Sequence, residues 1–231
     1  MKKFIIFLSC AIAFTNLAFA KYYSQIGQDK FVNEYLFQNK KGGVFVDIGA
    51  NNGITISNTY FFEKELGWQG ICVEPIPAVF EKLKQNRQCI CIQACVAKTT
   101  KQDKFLQITG YSQMLSGLKS NYHPNHLKRI YNEIKTHGGS VSEINVSCYS
   151  LNDLLEKYGV PHINFLSIDT EGNEFEILKA FDFSKYTVDV ICFEQNYNDD
   201  RFYKLLTSNG FHFVKQLEQD LIFVNNNFQK K

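Results

Sequence analysis

Short runs of β-branched and aromatic residues alternate along this chain with longer stretches whose apolar positions recur at helical spacing. Val44–Ile48 is one such run, closed by Gly49, and reads as a buried strand. Ser57–Leu66 reads as a helix stopped at Gly67, and Gly70–Glu74 as a second strand. Pro77 to Arg87 reads as a helix opened by proline, a position where the missing N–H costs nothing. Cys89–Ala94 makes a third strand. Between Lys101 and Ser150 the pattern breaks into hairpin-like pieces and a polar helix around His126–His137. Regular alternation then resumes, with a helix at Leu151–Tyr158, a strand at Ile163–Ile168, a helix at Asn173–Phe181 and a strand at Val188–Phe193. A helix at Asp199–Ser208 and a hairpin of Phe211–Lys215 with Leu221–Val224 close the chain. Strands separated by helices predict an α/β fold, a parallel sheet covered on both faces. No linker divides residues 21–231, so one domain is expected, with a lid-like insertion over about 101–150.

Composition changes this picture little, because 45% hydrophobic residues suffice for a core and no low-complexity run is present. Charge changes it more. The 25 basic and 23 acidic side chains leave +2, yet two of the lysines, Lys2 and Lys3, head a largely apolar segment ending in Ala18-Phe19-Ala20. Residues 1–20 thus carry the three parts of a secretory signal, with cleavage expected before Lys21. If retained, the same segment is long enough to anchor the protein in a membrane. Either way the protein is expected to be exported, and the remaining chain is neutral. A neutral chain disfavours duplex nucleic acid as a partner. Cys10 leaves with the segment, and Cys72, Cys89, Cys91 and Cys192 lie in apolar runs. They are expected to be mostly buried thiols, with one bridge allowed, and without a CxxC pair no zinc site is expected.

In a parallel α/β sheet the ligand sits beyond the carboxyl ends of the strands, where strand order reverses. The chemistry-bearing residues of this chain lie at such ends. Val46-Asp-Ile-Gly-Ala-Asn-Asn-Gly53 places two glycines where the chain must turn tightly, with Asp47 at the tip of the first strand. Glu74 ends the second strand, where a carboxylate can accept bonds from both hydroxyls of a ribose. An adenosine site follows, and two cofactors compete for it. A dinucleotide needs a middle glycine and a helix amino end for its pyrophosphate, whereas here Asn51 and Asn52 stand between Gly49 and Gly53. S-adenosylmethionine carries an amino acid that Asp47 and Asn51 can hold. Tyr131-x-x-x-Lys135 mimics a dehydrogenase pair but follows no phosphate turn, so an NAD-dependent oxidoreductase is the weaker alternative.

The ordered set of motifs resembles the FkbM-type methyltransferase family. It comprises Ser24-Gln-Ile-Gly-Gln-Asp29, VFVDIGANNG at 44–53, Ser57-Asn-Thr59 with Phe62-Glu63, Gly67-Trp-Gln-Gly-Ile-Cys-Val-Glu-Pro75 and Leu166-Ser-Ile-Asp-Thr-Glu-Gly-Asn-Glu174. Asn86-Arg87, Met114-Leu-Ser-Gly117 and Glu194-x-Asn196 keep the same order. The resemblance implies a class I methyltransferase fold: a Rossmann-like, seven-stranded, mostly parallel sheet with helices on both faces, using S-adenosylmethionine. It implies O-methylation of a sugar, polyketide or related small molecule. Carried over by position, Asp47, Gly49, Asn51 and Gly53 line the methionine side and Glu74 the ribose. Gln25, Gln28 and Asp29 cover the pocket, unless that segment is a helix cap.

Methyl transfer to oxygen is an in-line displacement that gains from a general base. Asp169, Glu171 and Glu174 follow the fourth strand and Glu194 ends the fifth, so Asp169 is the first candidate for base, then Glu171 and Glu194. The plainer alternative is that Glu171 and Glu174 cap the next helix. Gln113 to His137, with Lys119, His123, His126, Lys128 and Arg129, is the expected acceptor region, for a small hydroxylated molecule. An exported ligand-binding module without turnover is the alternative from another functional class.

Overall fold

The computed structural model describes residues 21–196 and 199–229. The expected export segment, with Cys10, lies outside the described residues. Among the described residues no helix is long and apolar enough to cross a membrane. The chain enters through α1 (Gln28–Phe31), which widens into a π-helical stretch at Val32–Phe37. Then come β1 (Val44–Ile48), α2 (Tyr60–Leu66), β2 (Gln69–Val73), α3 (Pro77–Asn86) and β3 (Ile90–Ile92). An insertion follows, made of β4 (Cys95–Ala97), β5 (Lys101–Ile108), β6 (Gly117–Leu118), α4 (Pro124–His137) and β7 (Val141–Ser150). The chain ends through α5 (Leu151–Tyr158), β8 (His162–Ile168), α6 (Glu174–Ala180), β9 (Thr187–Glu194), α7 (Arg201–Ser208), β10 (Phe211–Leu217) and β11 (Asp220–Asn225).

Seven strands form one sheet in the order β10-β11-β9-β8-β1-β2-β3. Its five central and far-edge strands run parallel, while β11 is antiparallel to both its neighbours. This is the mostly parallel, Rossmann-like architecture expected. Alternation along β1 shows why helices cover both faces. Val46 and Ile48 join one core with Leu154, Leu166 and Ile177, whereas Phe45 joins another with Phe62, Trp68 and Leu83. Buried on both sides, such strands read as continuous apolar runs.

The chain moves outward from β1 to β3 and returns on the other side at β8. Strand order therefore reverses between β1 and β8, and a crevice opens at their carboxyl ends.

Three expectations need correction. The run Cys89–Ala94 is not one strand: only Ile90–Ile92 stays in the main sheet, and the chain crosses at once to β4, the edge of a second sheet. The insertion thus begins near residue 95 rather than 101. Its order is β4-β7-β5-β6, and its hairpin-like look comes from β5 and β7, which pair antiparallel from Lys101–Cys148 to Ile108–Val141. Phe105, Leu118, Val146 and Cys148 give it a core shared with Ile76 and Val79 of the main domain. Lastly, α2 starts at Tyr60 rather than Ser57, because the Ser57 hydroxyl accepts from the N–H groups of Thr59 and Tyr60 and forms a turn instead. All six described cysteines are free thiols, with Cys89 and Cys91 partly exposed.

Candidate active site

The seam between β1 and β8 is set by one glycine. Gly49 has φ of 86°, and a Cβ there would sit 1.8 Å from the Asp169 carbonyl oxygen. The Asp169 N–H in turn donates to the Ile48 carbonyl at 2.9 Å. Only glycine allows this approach, which locks Asp169 beside the turn after β1.

The crevice above the seam is a cavity of about 290 Å³. Gly49, Asn51 and Glu74 line one side, and Asp169, Glu171 and Glu194 the other. Asn51 takes a left-handed conformation, φ 49°, which asparagine tolerates. Glu74 is buried at the tip of β2, where its Oε1 accepts from the Ile76 N–H at 2.8 Å. Burial outweighs the backbone bonds from Ile76 and Asn51 and pushes its carboxyl up to about 7.

Asp47 sits deeper, with Oδ2 accepting from the Thr59 hydroxyl at 2.6 Å. Burial raises its pKa, opposed by the charge of Arg87. Arg87 braces the whole turn from beneath. Its Nη1 donates to the Gly53 carbonyl and its Nη2 to the Thr59 hydroxyl, each at 3.0 Å, and its Nε pairs with Glu63. Gly53 consequently faces Arg87 and Leu83, whose side chains a Cβ would meet at 2.7 Å, and does not line the cavity.

The segment before α1 straps across the mouth. Ser24 bridges Ile56, while Gln25 and Gln28 line the cavity. Gln28 Nε2 donates to Asp220 Oδ2 at 2.6 Å. Asp29 does not reach the cavity. Fully buried, it accepts from the N–H groups of Tyr23 and Ser24, at 2.6 and 3.1 Å, and from the Ser24 hydroxyl at 2.6 Å. It fastens the strap from inside α1, whose N-cap is Gly27 without a side-chain cap bond.

On the opposite wall, Asp169, Glu174 and Glu194 each bring a carboxylate oxygen within 4.8 Å of the others, close enough to share a proton or a cation. Asp169 is exposed at the cavity, and the protein packed around its carboxyl, then the charges of Glu194 and Glu174, raise its pKa well above the ordinary carboxylate value. Glu194 accepts from Asn196 Nδ2 at 2.6 Å, and burial followed by Glu174 and Asp220 lifts it to about 7. Glu174 is already committed: it accepts from the Thr170 N–H and hydroxyl at 2.7 and 2.8 Å and from the Gly172 N–H. Glu171 stands at φ 60°, with Oε2 3.3 Å from Nε2 of His126 on α4. Burial and the neighbouring carboxylates raise its pKa.

Asp220 joins this wall because β11 inserts beside β9 and sets it opposite Glu194. Sequence reading had no signal for that pairing. Asn58 was legible only as part of a motif. It lines the cavity with Nδ2 bonded to Ser167 Oγ at 3.0 Å, while its Oδ1 is buried without a hydrogen-bond partner. Gln113, Met114 and Arg129 of the insertion complete the lining.

A Rossmann-like sheet with a ligand cleft at its switch point, acid-tipped on β1 and β2, defines the class I methyltransferase fold. The methyltransferase FkbM domain model matches residues 47–221, and the chain belongs to that family. Among solved structures, methyltransferase FkbM from Methylobacillus flagellatus superimposes with a TM-score of 0.50 at 9% identity, covering 87% of this chain and 48% of that one. The chain thus spans about half the length of that structure. Precorrin-6y C5,15-methyltransferase from Geobacter metallireducens is similar with TM-score 0.44 and 12% identity, covering 85% of each chain. A TehB-like SAM-dependent methyltransferase from Corynebacterium glutamicum gives 0.42 and 9%, covering 89% of each. A search of curated proteins returned no significant match.

Proposed function

We propose that this chain is an S-adenosylmethionine-dependent O-methyltransferase acting on a hydroxyl of a sugar, polyketide or similar small molecule. The observation that carries the reading is one cavity with two unlike walls. One offers a ribose-type acid, Glu74; the other offers carboxylates whose pKa values are raised, Glu194 to about 7, and between them lies an unpaired acceptor, Asn58 Oδ1. The orphaned Asn58 oxygen fits a cationic amino group, since a buried acceptor without a donor is costly. When bound, S-adenosylmethionine supplies an activated methyl group.

The rest falls to the protein. Glu74 accepts from the ribose hydroxyls, while Gly49, Asn51 and Asp47 border the methionine end, and Gln25 and Gln28 exclude water from above. Asp169 takes the proton of the acceptor hydroxyl, with Glu194 and Glu174 holding its pKa up and Glu171 and Glu194 orienting the acceptor. The insertion, through Gln113, Met114 and Arg129, selects the acceptor. A dinucleotide is disfavoured because α2 begins seven residues beyond Gly53, leaving no helix amino end at the turn for a pyrophosphate. We further propose that residues 1–20 direct export, or tether the domain if they are retained.

Calorimetry on protein beginning at Lys21, with S-adenosylmethionine and its demethylated product, tests the donor half. No binding at millimolar donor overturns it. Asp169→Asn is expected to bind donor normally and to lose at least about 100-fold in turnover. Full turnover removes Asp169 from the role of base.

A further inference from the structure

A group of thiols lies beneath the donor turn, outside the cavity lining. Cys72 on β2 and Cys89, just before β3, hold their sulfurs 3.5 Å apart in hydrogen-bond contact. Cys91, opposite Cys72 in the strand register, donates to the Cys89 carbonyl at 3.6 Å. Cys72 is fully buried, but Cys89 is partly exposed. Beside them runs the buried Arg87 side chain, which holds the Gly53 carbonyl and the Thr59 hydroxyl of the donor turn. Contact with Cys72, then with Cys91, lowers the pKa of the Cys89 thiol, and Arg87 adds its charge. A partly exposed thiol so activated, with its sulfur against a second thiol, is the arrangement of a redox-reactive pair.

We propose that Cys72 and Cys89 form a redox-modification site: hydrogen peroxide converts them to a disulfide, which disturbs the Arg87 brace and weakens donor binding. The Cys89 thiolate attacks one peroxide oxygen, the O–O bond breaks, and the hydroxide released takes up a proton to become water. Cys89 is left as a sulfenic acid. The Cys72 sulfur then attacks the Cys89 sulfur and gives up its proton; the S–O bond breaks and a second water leaves. Two electrons pass from the sulfurs to the peroxide, and a dithiol reductant reverses the change. Closing the pair from 3.5 Å to a bond of about 2 Å shifts the β2–β3 edge. Arg87, at the end of α3 and two residues before Cys89, moves with it, and its grip on Gly53 and Thr59 loosens. The effect on donor binding rests on the proposed methyltransferase reading; the sulfur chemistry does not. Cys95 and Cys148, register partners across β4 and β7, are both buried and serve as an internal comparison.

The experiment uses the full chain, reduced and then treated with hydrogen peroxide, alkylated, digested and analysed by mass spectrometry. An intact-mass loss of about 2 Da, for two hydrogens, and a peptide joining Cys72 to Cys89 are expected, both reversed by dithiothreitol. In calorimetry the oxidised protein binds S-adenosylmethionine about tenfold more weakly, and reduction restores it. Cys89→Ser binds like the reduced protein before and after peroxide, and Cys91→Ser still forms the cross-link. Surviving free thiols, a sulfinic acid at Cys89 without a cross-link, a disulfide elsewhere instead, or a cross-link with unchanged affinity each overturn the inference. Failure of the reduced protein to bind donor overturns the proposed function and the affinity effect together, whereas failure of the cross-link overturns this inference alone.

Discussion

Replacing Glu74 with glutamine separates the stability of this domain from its affinity for donor. The carboxyl is buried at the tip of β2 and titrates at about 7 in the fold, against 4.5 for the ordinary side chain. Its charged form is therefore disfavoured by folding. A carboxyl raised in this way leaves stability untouched below about pH 4.5, erodes it as pH rises through 7, and has no further effect above. Each pKa unit is worth about 1.4 kcal/mol, so the difference between 7 and 4.5 amounts to about 3 kcal/mol at pH 8. Glu74→Gln removes that penalty. In urea melts it should be more stable than the parent by up to about 3 kcal/mol at pH 8, and equal to it near pH 4.5. For a domain of this size the gain corresponds to roughly 6–12 °C in Tm. Donor affinity should move the other way. On the proposed contact of Glu74 with two ribose hydroxyls, losing the ionised acceptor costs about 1.5–3 kcal/mol, or roughly 10–150-fold in Kd by calorimetry at pH 8. The parent's affinity should itself weaken as pH falls below 7, and the variant's should not. The reasoning is refuted by a variant that melts with the parent's pH dependence, or that binds donor as tightly as the parent does.

Two further outcomes follow from the site. Turnover should rise with pH as Asp169, whose pKa is raised, loses its proton, and Glu194→Gln should move that midpoint down by about one unit by removing a like charge beside it; a profile without a rising limb, or one that Glu194→Gln leaves in place, would sink the base assignment. Gly49→Ala should destabilise the fold by more than about 4 kcal/mol in denaturant melts, because its Cβ would collide with a backbone carbonyl rather than a movable side chain.

The fold was legible in the sequence wherever a strand is buried on both faces. Val44–Ile48 and Ile163–Ile168 announce themselves as apolar runs because helices cover both sides of the sheet. The second sheet was not legible. β5 pairs with residues some forty positions away, and its exposed face interrupts the apolar pattern that would mark a strand. Site residues on the tips of parallel strands, such as Asp47 and Glu74, could be placed because sequence position and strand end coincide there. Asp29, Gly53 and Glu174 sit in equally suggestive motifs, yet the hydrogen bonds that occupy Asp29 and Glu174, and the close packing at Gly53, depend on contacts no local pattern encodes. Asp220 reached the cavity only through the insertion of β11 between β9 and β10, a matter of topology alone.

The neck of the insertion has a consequence for how such proteins diversify. β4 and β7 run parallel side by side, with Cys95 opposite Cys148 and Ala97 opposite Ser150. Because β4 ends beside the end of β7, the excursion between them can change in length without separating Ala97 from Ser150. Phe105, Gln113, Met114 and Arg129 of that excursion line the same cavity as Asp47 and Glu74, so a change in its length reshapes one wall of the pocket while the strand tips that carry the other stay on the main sheet.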